Sequence, residues 1–431
     1  MTRSNPRSTN RLAALVLSLV MLAALAPAAG AQDSAGVRMV PPEGDGARYW
    51  SRWRGPSGQG VVEGTGYPDR WSDTENVLWK VPVPGRGHSS PIVWEDRIFL
   101  TTSRDRGRRV SILAFRRSDG MLLWQADAPN GPGERTHGKN SPASATVTTD
   151  GERCTPRSAA AGCSPSTSTA TSSGTMLSRI DNYHGPAGSP LLYRDSIIIY
   201  QDQNRGAFVI ALDARTGETR WRTPRAARVG WGTPIAISVG DHDELIVSSQ
   251  RYVQSYNPST GEELWRCEGM LREVIPTPAV GHGLVYCASG RAGPTLAIRP
   301  GGRGDVTRTH VEWSITRGSP FVPSPTVYGD YLYQINDMSS ILTNLNARTG
   351  ETVWQERLGR PRREGISASP IVVDDKLFVT NDEGQTFVLK TGPDFEILHV
   401  NDIGAPTLAS PALVDGIWYI RTADQLFAIG H

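Results

Sequence analysis

Three histidines are the first residues in this sequence whose types and spacing could do chemistry. His88, His137 and His184 each stand a few residues ahead of a Ser-Pro pair, at Ser90-Pro91, Ser141-Pro142 and Ser189-Pro190. If neighbouring segments bring the three imidazoles together, they suit a zinc- or copper-type ion with one position left open. The other reading is three separate loop residues, each satisfying nearby backbone; spacing in sequence does not choose between them. A nucleophilic serine has no support, because no Gly-x-Ser-x-Gly elbow is present and many serines sit at strand starts. The four cysteines form no Cys-x-x-Cys, no haem-attachment motif and no adjacent pair.

The elements that would position such residues are repeats. Ala211-Leu212-Asp213-Ala214-Arg215-Thr216-Gly217-Glu218-Thr219-Arg220-Trp221 returns as Asn346-Ala347-Arg348-Thr349-Gly350-Glu351-Thr352-Val353-Trp354. Looser copies end at Trp265 and Trp124. An alternating apolar lead-in such as Phe208 to Leu212 reads as a strand. Asp or Asn and Thr then offer oxygens to a turning backbone, and Gly supplies the positive φ. The tryptophan opens the returning strand with enough area to fill a gap between stacked sheets.

A second marker, Ser/Thr-Pro, precedes an apolar strand at Ser90, Ser141, Ser189, Thr233, Thr277, Ser324, Ser369 and Ser410. Proline is tolerated at the first residue of a strand. Each marker leads to a strand, a tight acidic or glycyl turn, a second strand and then the first motif. The period predicts an all-β, eight-bladed β-propeller of four-stranded antiparallel blades. The final blade lacks its last strand, and Asn76 to Val83 is free to supply it. Closure by pairing of the N- and C-terminal strands is expected, which removes an open edge.

One period breaks the pattern. Cys154 to Thr175 is Ser, Thr, Ala, Pro and Gly with no aliphatic beyond Ala, so the second blade is read as damaged at about 154–179. Read one base out of register with GC-rich codons, the run can spell the missing strands, turn and tryptophan in order. Two compensating frame errors and a genuine disordered insertion are the two accounts. On the first, Cys154 and Cys163 are accidents of the shifted frame, while Cys267 and Cys287 read as buried free thiols.

Arg3, Arg7 and Arg11 precede the apolar run Leu12 to Leu25, and Ala29-Gly30-Ala31 offers a cleavage site. Residues 1–31 therefore read as a signal peptide, giving a secreted or periplasmic chain after cleavage near Ala31, with no integral span remaining. Residues 32–75 read as a tether and a Trp/Gly-rich lead segment, packing across the first blades or, alternatively, covering a ligand; 76–431 are the propeller. With 45 Lys and Arg against 43 Asp and Glu, nothing calls for a nucleic-acid partner.

The Leu-Asp-Ala-x-Thr-Gly-Glu-x-x-Trp turns and Ser-Pro strand starts resemble the pyrroloquinoline-quinone (PQQ) repeat family, of the quinoprotein alcohol dehydrogenase-like superfamily, over about Asn76 to Gly430. Trp53-Arg54-Gly55-Pro56 and Pro84 to Pro91 look most like its uncharacterised secreted branch. The resemblance implies one of two functions. Some members are oxidoreductases holding PQQ and calcium on the ring axis; others are scaffolds without a cofactor. For the first, Trp231 would be the stacking surface, Arg272 or Arg363 a carboxylate clamp, and Asp337 or Asp382 a base or calcium ligand. The missing adjacent-cysteine pair of the alcohol-oxidising branch favours the second. A monomeric, non-catalytic binding or scaffolding module is expected, with no cofactor. Its variable loop face would take another exported protein or a peptide.

Overall fold

The recurring turn is built as its residues dictate. Asp213 accepts the backbone N–H of Arg215 and Thr216 on Oδ1 at 2.9 and 2.8 Å, and Asn257 and Asn346 repeat this with their own i+2 and i+3 amides. Gly217, Gly261 and Gly350 close the turns at φ 74°, 75° and 74°. In this computed structural model the described residues are 36–128, 133, 136–155, 160–162, 172–173, 180–360 and 365–431. They belong to the compact unit Asp33–His431; residues 1–31, read as a signal peptide, lie outside them.

Each complete blade runs from an inner strand outward. The first is Ile92–Trp94, Arg97–Arg104, Arg109–Arg116 and Leu122–Asp127, all antiparallel. The last is Ala412–Val414, Ile417–Arg421 and Gln425–Ile429, completed by Val77–Pro82, which pairs Val81 with Leu426 and Lys80 with Phe427. The strand just ahead of the first blade and the last strands of the chain thus share one sheet. Inner strands neighbour one another round the ring: Ala412–Val414 beside Ile92–Trp94, then Thr148–Thr149, Leu191–Tyr193 and Ile235–Val239.

The expected count of eight four-stranded blades is corrected here. Among the described residues seven blades are complete, not eight. The second position holds only short strands, Thr148–Thr149, Arg153–Thr155, Ala160–Gly162 and Ser172–Ser173. The physical reason is composition: a run without large apolar residues cannot bury enough to build outer strands. Cys154 there is buried and disulfide-bonded; Cys163 and most of 154–179 lie outside the described residues. Cys267 and Cys287 are buried free thiols, and burial pushes the Cys267 thiol up to about 11.

Blades are keyed together by the outer-strand tryptophans. Trp79, Trp221 and Trp313 donate Nε1–H to the turn carbonyls of Arg117, Pro258 and Ala347 in the following blade at 3.1, 3.1 and 3.0 Å. Their rings lie flat on that turn's glycine: a Cβ on Gly120, Gly261 or Gly350 would meet them at 2.7, 2.4 or 2.6 Å. Trp124, whose next blade is the rudimentary one, has a buried Nε1 without a partner.

The lead segment crosses the ring. Within the stretch read as a tether, Val37–Met39 pairs with Ile235–Val239. The carbonyls of Trp50 and Ser51 accept from Val93 and Thr149, and Arg54 donates to the Pro325 carbonyl at 2.6 Å and Thr326 Oγ1 at 2.5 Å. Gln59 clasps both backbone groups of Val280, and Val61–Val62 lies along Ile371–Val373. It therefore reaches well past the first blades. Arg54 is fully buried among carbonyl and hydroxyl oxygens, and burial brings its guanidinium down to about 9.

Candidate functional site

The strand-start hydroxyls form an annulus about the axis. Every one after Ser90 accepts the backbone N–H of the preceding position: Ser90 N–H to Thr146 Oγ1, Thr146 to Ser189, Ser189 to Thr233, Thr233 to Thr277, Thr277 to Ser324, Ser324 to Ser369 and Ser369 to Ser410, all within 2.9–3.3 Å. Seven of the eight markers read from the sequence occupy it. At the rudimentary position Thr146 takes the place expected of Ser141, whose hydroxyl instead lies near Ser103 Oγ and the Arg86 carbonyl.

This annulus lines a cavity of about 200 Å³. Trp53 closes it from the lead-segment side, donating Nε1–H to Thr277 Oγ1 at 3.1 Å. Loops ahead of the inner strands supply the other wall with His88, His137, Lys139, Asn140, His184, Trp231, Ile275, Phe321, Val322 and Leu408, and the loop after the second strand Leu284–Ala288 adds Arg291. Among the described residues its ionisable groups are three histidines, a lysine and an arginine, with no Asp or Glu.

All three sequence-singled histidines line this one cavity. The rings of His137 and His184 meet edge to face at 4.9 Å, and His184 lies 5.2 Å from Trp231. Asn140 fixes the pair by donating to the carbonyls of His184 and Pro186 at 2.8 and 3.0 Å. His88 stands apart, its Nδ1 buried and unpartnered. Burial, then the charges of Arg421, Arg86 and Lys139, lowers it to about 4, so it is neutral at physiological pH. Among the described residues no group of three or more His, Cys, Asp or Glu side chains is placed to hold a metal ion.

The remaining candidates scatter. Trp231 is buried at 4 % exposure, its Nε1 donating to the Gly185 carbonyl at 2.9 Å, with Tyr183 edge-on at 5.8 Å. Asp382 pairs with Lys139 at 2.8 Å and accepts from Ser367. Asp337 sits fully buried behind the wall, accepting the Phe321 N–H at 2.7 Å, and burial pushes its carboxyl up to about 6. Arg272 lies in a neighbouring groove with Arg251 and Leu271, which shares Arg291 with the cavity wall, and Arg363 is outside the described residues. Arg291 and Phe321, missed from sequence, line the cavity together, the guanidinium 4.7 Å over the ring and paired with Glu273.

The family model described as "Outer membrane protein assembly factor BamB" matches residues 43–208 and 205–429. The chain belongs to this family of PQQ-like repeat propellers. Among solved structures, this propeller is similar to BamB from Moraxella catarrhalis, with a TM-score of 0.56 and 16 % identity over 82 % of this chain and 96 % of that one. It is also similar to the quinohemoprotein alcohol dehydrogenase from Comamonas testosteroni, at 0.62 and 10 % over 89 % and 81 %. The corresponding dehydrogenase ADHIIG from Pseudomonas putida HK5 gives 0.60 and 12 % over 91 % and 83 %. No curated protein sequence matches. These identities carry the fold alone.

The cavity permits a test of fit for PQQ with calcium. That pair needs cations free to clamp carboxylates, an open aromatic face, and oxygen ligands that include carboxylates for the ion. Here Lys139 is tied to Asp382, Arg291 to Glu273, and Trp231 is flanked by Tyr183 and His184. This donor set does not fit the pair.

Proposed function

We propose that this propeller is an exported, non-catalytic binding or scaffolding module, acting in the periplasm or outside the cell on another exported protein or peptide. The observation that carries the reading is the cavity wall: its lysine and arginine are already ion-paired, and among the described residues it presents no carboxylate to a metal or a proton-transfer step. The family's description as an outer-membrane assembly factor supports a protein partner and an envelope location. No helix among the described residues is long and apolar enough to cross a membrane. Variable loops on a rigid ring are suited to recognition.

The test is a titration of the purified mature chain with PQQ and calcium, following the cofactor spectrum, alongside dye reduction with alcohols and sugars. The expected result is no bound cofactor and no reduction. A saturating cofactor spectrum with turnover would replace this reading by a quinoprotein-like oxidoreductase. Crosslinking of the exported chain in its native envelope should then trap protein partners through the loop face.

A further inference from the structure

The annulus is not uniform. Every hydroxyl after Ser90 accepts a neighbour's N–H, but Ser90 Oγ, at 3 % exposure and lining the cavity, has no partner. The chain of hydroxyls therefore lapses at the seam where the last blade meets the first. The buried, unpartnered Nδ1 of His88 lies two residues away and also belongs to the cavity wall.

Behind both stands Arg421, 1 % exposed, from the last blade. Its Nη1 donates to Ser89 Oγ at 2.7 Å and to the Thr101 carbonyl at 2.8 Å, while Nε and Nη2 have no partner. Nη2 lies against Gly87, where a Cβ would be 2.5 Å away. Among the described residues no carboxylate pairs with Arg421, and burial alone lowers its guanidinium to about 9. A desolvated cation of this kind is costly unless something negative offsets it.

We propose that this seam is a receptor for a single carboxylate, carried on a ligand with a compact apolar or aromatic body. Ser90 Oγ–H and His88 Nδ1–H donate to the carboxylate, the single proton of the neutral ring leaving its backbone partner at Lys139 for Nδ1. Arg421 supplies a positive background. Across the ring from Ser90, the fifth and sixth annulus positions bring Ile275, Phe321 and Val322 to the wall for the ligand's body. The cavity's size suits one residue or a small organic acid, below the ~300–1,000 Å³ usual for larger ligands. The proposal deepens the binding reading above by naming what the cavity takes. Its failure leaves that reading standing, because a protein partner need not enter the cavity.

The experiment titrates the full mature chain with N-acetylphenylalanine and with its amide, by calorimetry and by the fluorescence of Trp53 and Trp231. A peptide ending in phenylalanine, with free or amidated C-terminus, forms a second arm. Both acids should bind about tenfold or more tightly than their amides. A tighter peptide identifies a chain end as the source; a tighter amino acid derivative identifies a free small acid. Ser90→Ala and His88→Gln should each weaken acid binding about tenfold while leaving the melting curve two-state. They, rather than Arg421→Met, carry the test, since the latter variant also removes three hydrogen bonds that tie the last blade to the first. Equal affinity for acid and amide, no saturation by either, or unchanged acid binding in both variants would overturn the proposal.

Discussion

Trp53 Nε1 donates to Thr277 Oγ1 across 224 positions of sequence, and that one bond joins the lead segment to the hydroxyl annulus. The same Thr277 oxygen accepts the Thr233 N–H, so the plug and the ring share an acceptor. Trp53→Phe should cost about 1 kcal/mol, the net worth of one hydrogen bond. Trp53→Ala should cost about 2–4 kcal/mol, because the packed ring goes as well. Urea unfolding of the two variants measures the difference; equal midpoints for both would show that the ring contributes nothing beyond its N–H.

The Trp221–Gly261 contact gives a matched pair of glycine tests. Gly261 has φ 75° and would push a Cβ to within 2.4 Å of the Trp221 ring, whereas Gly240 has φ 60° and open space around it. Gly240→Ala should cost only the left-handed backbone term, about 1–2 kcal/mol. Gly261→Ala adds a clash at a blade interface and should cost about 2–5 kcal/mol in all. Thermal melts compare the two; a cost at Gly261 no larger than at Gly240 would refute the keyed packing.

What was legible from sequence were features set by local chemistry. The turns of Asp213 and Asn346 and seven of the eight Ser/Thr-Pro starts depend only on residues a few positions apart, and they formed as read. Closure by Val77–Pro82 was readable because a missing strand and a spare one balance. Ser141 misled, since Ser141-Pro142 carries the marker while Thr146 carries the position. The place of His88, His137 and His184 before the markers suggested all three together; His137 and His184 meet, while His88 stands apart. The placing of Arg272 in a neighbouring groove, the reach of Arg54 to Pro325 and the isolation of Arg421 depend on blade-to-blade packing, which no local pattern encodes.

Trp124 offers a gain-of-stability test. Its Nε1 is buried without the turn carbonyl that Trp79, Trp221 and Trp313 each find in the following blade. Replacing 154–179 with a segment carrying two apolar strands and an Asp-x-x-Thr-Gly turn should supply that carbonyl and bury new area. The chain should then be stabilised by at least about 1 kcal/mol through the hydrogen bond alone. An unchanged unfolding midpoint, or unchanged Trp124 indole N–H protection from exchange, would show that the second position tolerates no fourth-strand socket.

His88 and Asp337 should pull stability in opposite directions as pH changes. The fold lowers His88 from 6.5 to about 4, chiefly by burial, so the unfolded chain binds more protons between those values. Stability from this group is present above pH 6.5 and is lost as pH falls toward 4. Burial raises Asp337 from 3.8 to about 6, so there the folded chain binds more protons. Its contribution is present below pH 3.8 and is lost as pH rises through 6. Each is worth at most about 3 kcal/mol, and the two largely cancel in the wild type. Asp337→Asn keeps an acceptor for the Phe321 N–H and removes the charge, so its advantage over wild type should grow from about pH 4.5 to 6.5. His88→Gln should do the reverse, its advantage being greatest near pH 4.5 and shrinking as pH rises. Urea unfolding at about pH 4.5, 5.5 and 6.5 measures both differences, and parallel pH dependences for the two variants would refute the opposition.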